Sequence, residues 1–575
     1  MPTPFSYSAS AFGGADFTSG IETLPPQVNK TGTCMLSNLV NCRVTQDGGV
    51  GNRAGFTQLV DLATSAKVDS CVSLPVYSVS FWKSGTSIFQ ALKSGLDVGT
   101  AYTIGVTRTA GEIDFLFVNE KDVYATNFTD SFTRTAVSKV AAINSGANTF
   151  SVTAGDGTKF ATGTVYIRGT AITDGTLSTD AYSGTSGLTG SMAIGDIVTQ
   201  TTTPAAPKGT GMAAFQGSAL VGRGDTLSVS LPSTDQEPQL FYDFSLTNGA
   251  TAKRLSSGFS AVKTGLSVAL VGMKDGIDVV TGFEPNSGGL LTMPVSRVHG
   301  VPNANCISEM DRQFVILTST GRIIPAAQTL NGFELLENPM KPKTNFDYAV
   351  QGYIQKNIDT SDLTQNRVFY NPATRILKAT ILCTNGKKEF ILQTDIGAWS
   401  IDDSKNINCR LVLDGAEYAG DDSTGLIHRD EFGTTDNGTP IISTITTGRF
   451  TPSVTGDYLS LNYRGVISGN GQFYQRIIHN DVIEEELILA EDMVADGQMS
   501  LSSGVSLGTG LLGAETMGGV GDKTEVFSFN YPYELLIEAE SIQLEWQVQD
   551  EGSRLEIRSF SLQGETENTL LLNKA

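Results

Sequence analysis

The stretch EYAGDDSTGLIHRDEFGTTDNG, residues 417–438, gathers Asp, Glu and Gly around His428, one of three histidines in the chain. Such residues could hold a metal ion or a phosphate. A calcium loop needs oxygen ligands at alternating positions, closed by a bidentate carboxylate. Here Asp421 and Asp422 are adjacent, Asp430 and Glu431 follow Arg429, and the order does not match. Zinc needs several nitrogen or sulfur ligands, and only His428 is near. Turn chemistry accounts for the same residues: Gly420–Asp422 and Asp436–Gly438 read as turns, with the short strand LIHRDEF between them.

Other routes to chemistry are no better supplied. His299 in SRVHGVP and His479 in RIIHND have no serine or cysteine in a nucleophile-elbow context. GTGLLGAETMGG is glycine-rich but lacks the lysine of a phosphate-binding loop, and there is no dinucleotide fingerprint. Carboxylates are too numerous to nominate a glycosidase pair. The chain is therefore read as a non-enzyme, with no catalytic, cofactor-binding or metal residues and no cofactor. One charge run stands out. DVIEEELILAEDMVADG carries Asp481, Glu484, Glu485, Glu486, Glu491, Asp492 and Asp496 without a Lys or Arg. It reads either as a solvated face or as a wall past which a polyanion must slide without sticking. In the second reading these seven are channel-lining acids, since fixed negative charge prevents the counterion release that drives DNA binding.

The elements that would position these residues are short. Gly, Thr, Ser and Asn are abundant and long Ala/Leu/Glu/Lys blocks are missing, which favours strands joined by tight turns. SVSFWKS-GTS-IFQALKS reads as strand, turn, strand; IDFLFVNEKDVYATNF as two strands around Asn119 and Glu120; QDGGVGN as a hairpin turn. With 40 % apolar and 17 % charged residues, the 575-residue chain is neither disordered nor a coiled coil. A formal charge of −21, from 39 basic and 60 acidic residues, opposes nucleic-acid and anionic-membrane binding. Six cysteines are scattered without a C-x-x-C pair, as expected of reduced, buried thiols. No signal peptide and no run of about 18 apolar residues is seen, so no membrane-spanning segment is expected.

Strand–turn–strand phrases recur every 40–50 residues or so, the spacing of a propeller blade. The expected fold is all-β: a β-propeller over 61–455, a small inserted β-module over 135–206, an N-terminal segment over 1–60 and a C-terminal β-domain over 456–575. At ~45 residues per blade the propeller span without its insert allows about seven blades.

Three groups of residues carry a resemblance. The first is Asn41, Gly48, Gly49, Arg53, Gly55 and Phe56 in NCRVTQDGGVGNRAGF. The second is DGIDVVTGFEPNSGGLLTMPVSRVHGVPNANCISEMDRQFVILTSTGRI, and the third is GAWSI followed by EYAGDDSTGLIHRDEFGTTDNGTPIISTITTGRF. In this order they resemble the β-propeller proteins of bacteriophage tails, the hub or nozzle proteins of short-tailed phages. The resemblance implies a structural virion protein of the tail, assembled in the host cytoplasm. It implies a homo-oligomeric, commonly hexameric ring that docks portal-adaptor ring proteins and tail fibres and lets DNA pass without specific binding. Two rivals are a receptor- or glycan-binding propeller, which needs exposed aromatic residues in a pocket, and a propeller hydrolase, which needs titratable groups converging in a central cleft. Trp82, Trp399 and Trp546 lie far apart in strand-like contexts and read as core.

Overall fold

A computed structural model describes residues 3–9, 11–15, 33–119, 121–144, 149–178, 180–183, 192–215, 218–223, 226–231, 242–245, 259–265, 268–273, 275–282, 290–329, 332–403, 405–450, 456–468, 472–479, 482–489, 499–501, 526–539, 541–548 and 554–566. The all-β expectation holds. Among the described residues the only α-helices are Lys93–Asp97 and Tyr348–Asn357. Among the described residues no helix is long and apolar enough to cross a membrane.

Most strands fall into seven four-stranded antiparallel units. Unit 1 is Val68–Leu74, Val79–Ser84, Ser87–Leu92 and Tyr102–Thr107; unit 2 is Phe115–Asn119, Asp122–Thr126, Thr133–Asn144 and Ile197–Thr202. Unit 3 is Gly211–Phe215, Ser218–Arg223, Thr226–Val229 and Tyr242–Ser245; unit 4 is Phe259–Gly265, Val268–Met273, Gly276–Gly282 and Leu290–Ser296. Unit 5 is Ile307–Met310, Gln313–Leu317, Ile323–Thr329 and Gly332–Leu335; unit 6 is Arg367–Asn371, Ile376–Cys383, Gly386–Gln393 and Ala398–Asp402. Unit 7 is Ile407–Leu413, Ala416–Asp421, Leu426–Arg429 and, from the other end of the chain, Thr57–Asp61. The first strands of units 1 to 7 neighbour one another in chain order, and that of unit 7 lies against that of unit 1. The second strands are covered on both faces, so the pattern is continuous and not alternating: all six residues of Val268–Met273, the second strand of unit 4, are buried.

The last unit is completed by pairing Leu426↔Asp61, Ile427↔Val60, His428↔Gln58 and Arg429↔Thr57. Val60 and Leu62 then pack with Trp82, Phe89, Leu411, Tyr418 and Ile427, joining units 7 and 1 in one apolar cluster. A boundary at residue 60 therefore runs through a strand. Apolar burial decides this, because among the described residues no later strand covers the outer edge of Leu426–Arg429.

Strand Thr133–Asn144 runs on beyond unit 2 and pairs with Thr149–Val152. Together with Gly163–Ile167, Thr170–Ser178 and Ala181–Ser183 it encloses a small core of Val140, Phe150, Phe160, Val165, Ile172 and Tyr182. Buried Asp156 anchors this insertion. Its carboxylate accepts from Tyr77 Oη and, at 2.8 Å, from Ser138 Oγ, and it pairs with Lys121 at 3.2 Å and Lys159 at 3.5 Å. These donors outweigh burial and hold Asp156 below the ordinary carboxylate range.

The two ends of the chain build a further two-sheet body. In one sheet Arg554–Thr566 pairs with Thr3–Ala9, Val50–Asn52 and Gly456–Ser468. The other continues the sheet of unit 6 in the order Ala398–Asp402, Thr33–Val40, Ser443–Thr447, Ile542–Val548, Gln472–His479, Val482–Leu489. Phe560 touches Phe450 at 5.5 Å, Phe12 at 6.1 Å and Trp546 at 6.3 Å between ring centroids. This body draws on the chain from Ser443 onward, before residue 456, because the strand Ser443–Thr447 is needed between Thr33–Val40 and Ile542–Val548. Trp82, Trp399 and Trp546 are all buried, and Cys42, Cys306 and Cys383 are buried free thiols, with Cys71 and Cys409 free and partly exposed.

Candidate functional site

The Asp/Gly stretch is resolved by its hydrogen bonds. Asp421 Oδ1 accepts from Ser423 N at 2.8 Å, Ser423 Oγ at 2.8 Å, Thr424 N at 2.7 Å and Thr424 Oγ1 at 2.9 Å. That carboxylate oxygen is used up by its own turn, and His428, 3.6 Å from the other oxygen, together with these bonds holds the pKa of Asp421 well down despite burial. The first turn thus follows Asp421, and the strand ends at Arg429; Glu431 sits at φ 51° and is not part of it. The second turn is an Asn437–Gly438 hairpin with both φ positive, 52° and 82°. His428 is buried, edge-on to Phe56 at 5.0 Å and 3.2 Å from Asn437 through Nδ1.

Residues from the two ends of the chain meet here. Asn41, at φ 54°, donates through Nδ2 to Ile442 O at 2.8 Å and accepts at Oδ1 from Asp403 N at 2.9 Å and Arg53 Nε at 3.2 Å. Arg53 makes a two-pronged contact with Asp436 at 2.8 and 2.5 Å. Gly55 N donates to Gly433 O at 3.0 Å, and a β-carbon on Gly55 would stand 2.0 Å from Thr435 O. No side chain fits that approach of two backbones.

Around this clasp lies a buried ionic network. Arg43 bonds Asp402 through both terminal nitrogens at 2.7 Å and reaches Glu431 at 2.9 Å. Lys378 lies 2.7 Å from Glu417, 2.9 Å from Asp430 and 3.0 Å from Glu431; Lys405 lies 2.9 Å from Asp430 and 3.2 Å from Asp402. Arg410 pairs with Glu389, Glu417 and Asp430. With Arg53 and Asp436 the network holds five cations and six carboxylates, drawn from the N-terminal segment, unit 6 and unit 7. Burial opposes every charge in it. Asp430 and Asp402 are nonetheless held well below the carboxylate range by the surrounding cations, and Glu431 is held at about 2 by Arg43, Lys378 and Lys405. Glu417 goes the other way. Burial, with Asp430 and Glu431 nearby, pushes it up, so the one-carboxylate excess settles there.

The three depressed groups bind protons more weakly folded than unfolded, where a carboxylate titrates near 4. Their stabilisation is fully present above about pH 4.5 and is lost as pH falls towards 2; Glu417 alone works in the opposite sense. The urea midpoint is therefore expected to drop steeply between about pH 4.5 and 2, and a flat profile there would contradict the network.

Of the channel-lining acids, Glu484, Glu485 and Glu486 lie on Val482–Leu489, the last strand of its sheet, in register with Ile477, Arg476 and Gln475. Asp481, Glu491, Asp492 and Asp496 lie outside the described residues. What sequence reading missed is the ion network, although one signal was present: Lys378 interrupts the apolar strand ILKATIL, and a lysine there needs buried partners. It also missed a cavity of ≈340 Å³ where the first strands converge, lined by Ser70, Phe117, Asn305, Arg367 and Asn408 among others. No local spacing announces that convergence.

No protein-family model matches the chain, and no curated protein does. Among solved structures the chain is similar to the computationally designed Ika8 protein, at 12 % identity over 65 % of this chain and 99 % of that one, with a TM-score of 0.32.

Proposed function

We propose that the chain is a structural subunit of a bacteriophage tail, a nozzle or hub protein. In this reading the seven units are the blades of a β-propeller closed by Thr57–Asp61, and the subunits form a ring, of six by analogy, around a passage for DNA. The observation that carries it is the convergence of the first and third motif groups behind the resemblance. Asn41 and Arg53 bond each other, and Arg53, Gly55 and Phe56 meet Asp436, Gly433 and His428 some 380 residues later in one clasp. Motifs that lock together are one device, which gives their joint occurrence more weight than loose turn patterns have. Cyclic adjacency of the first strands and pairing of both chain ends into one body fit the same reading. Portal-adaptor rings and fibres would dock on the two-sheet body, and the acidic strand Val482–Leu489 would keep passing DNA from sticking. The lectin-like alternative gains nothing from the tryptophans, which are buried.

Light scattering on the eluting protein is the test. The ring reading expects a particle about six times the 61.0 kDa chain, or, where assembly needs a template, the chain as a stoichiometric component of purified virions. A monomer that is also missing from virions would end it.

A further inference from the structure

Arg367 opens the first strand of unit 6 and is 6 % exposed. The other buried cations among the described residues, Arg53, Lys83, Arg108, Arg134, Arg322, Lys378 and Lys405, each stand beside a carboxylate. Arg367 has none. Its terminal nitrogens donate to uncharged acceptors: Thr364 O, Asn366 O at 2.8 Å and Asn408 Oδ1 at 3.3 Å. Its Nε has no partner. Burial pushes the guanidinium below the ordinary arginine range. An isolated buried charge costs several kcal/mol and is normally paired.

The side chain lines the central ≈340 Å³ cavity, and so does Asn305, whose Nδ2 is also without a partner. Two side chains, one carrying a full positive charge and each with one buried N–H lacking a partner, thus line one space large enough for a small ion. Glu309 borders the same cavity and makes no ion pair with Arg367 among the described residues. We propose that this cavity is a binding site for a small oxyanion, with Arg367 as its counter-charge and Asn305 as a second donor. A guanidinium without a carboxylate and a neighbouring amide donor match an oxygen-bearing anion. The site is independent of the ring reading, since it needs only one folded chain.

Calorimetric titration of the full chain with inorganic phosphate, and separately with acetate, at constant ionic strength tests this. Saturable binding of either anion at one site per chain is expected, with phosphate favoured for a tetrahedral oxyanion and acetate for a carboxylate. Arg367→Gln is expected to weaken it at least tenfold, and Asn305→Leu to weaken it less. Without added oxyanion Arg367→Gln should melt at or above the wild-type temperature, because an unpaired charge has been removed; phosphate should raise the wild type alone. Absence of saturable binding by both anions, or equal binding by wild type and Arg367→Gln, would overturn the assignment.

Discussion

Lys378→Met is expected to destabilise the protein by about 3–5 kcal/mol, the range for removing one partner from a buried ion cluster. Lys378 Nζ has three carboxylate oxygens within 3.0 Å, and its side chain is fully buried. Methionine fills nearly the same volume and adapts to irregular space, so the loss measures charge and not a void. The variant leaves four cations for six carboxylates, all taken from water. Adding Glu417→Gln removes the carboxylate already pushed upward by burial and should recover part of the loss, with a coupling of about 0.5–3 kcal/mol. Urea unfolding followed through the three buried tryptophans reads both variants. A loss below about 1 kcal/mol, the worth of an exposed pair, would mean that water reaches the cluster.

Deleting residues 1–61 should have a larger effect still, abolishing soluble folding. The deletion takes the outer strand of unit 7 and exposes the edge of Leu426–Arg429. It also removes Thr33–Val40, which lies between Ala398–Asp402 and Ser443–Thr447 and is the covalent-free link from unit 6 to the terminal sheets. Arg43 and Arg53 go with it, leaving Asp402 and Asp436 buried without their forks. An open edge, an unpaired buried Asp436 and an Asp402 left with Lys405 alone favour aggregation. Full-length Val60→Asp, at a position 1 % exposed, should reproduce the defect in weaker form. A truncated chain that is soluble and melts at the wild-type temperature would show that the seam is dispensable.

Much of the local structure was legible in the sequence, because hairpins are written in neighbouring residues. VSFWKS, GT and SIFQAL announce two strands and a turn, and Asn437–Gly438 supplies the two positive φ angles of a tight hairpin. Asp421 followed by Ser423 and Thr424 likewise contains its own explanation, a carboxylate that closes its own loop. Composition sufficed for the all-β class, since turn formers and strand formers leave little room for helix.

Tertiary structure alone decided what happens across long separations. Nothing near Thr57 names Arg429 as its partner, and nothing near Arg53 names Asp436, because apolar burial is non-directional and an ion pair carries no record of sequence distance. The same holds for Arg367. Its lack of a carboxylate partner is decided where first strands from distant parts of the chain converge, and Glu309, which borders the same cavity, makes no ion pair with it among the described residues, because which charges pair in a buried space depends on three-dimensional neighbours.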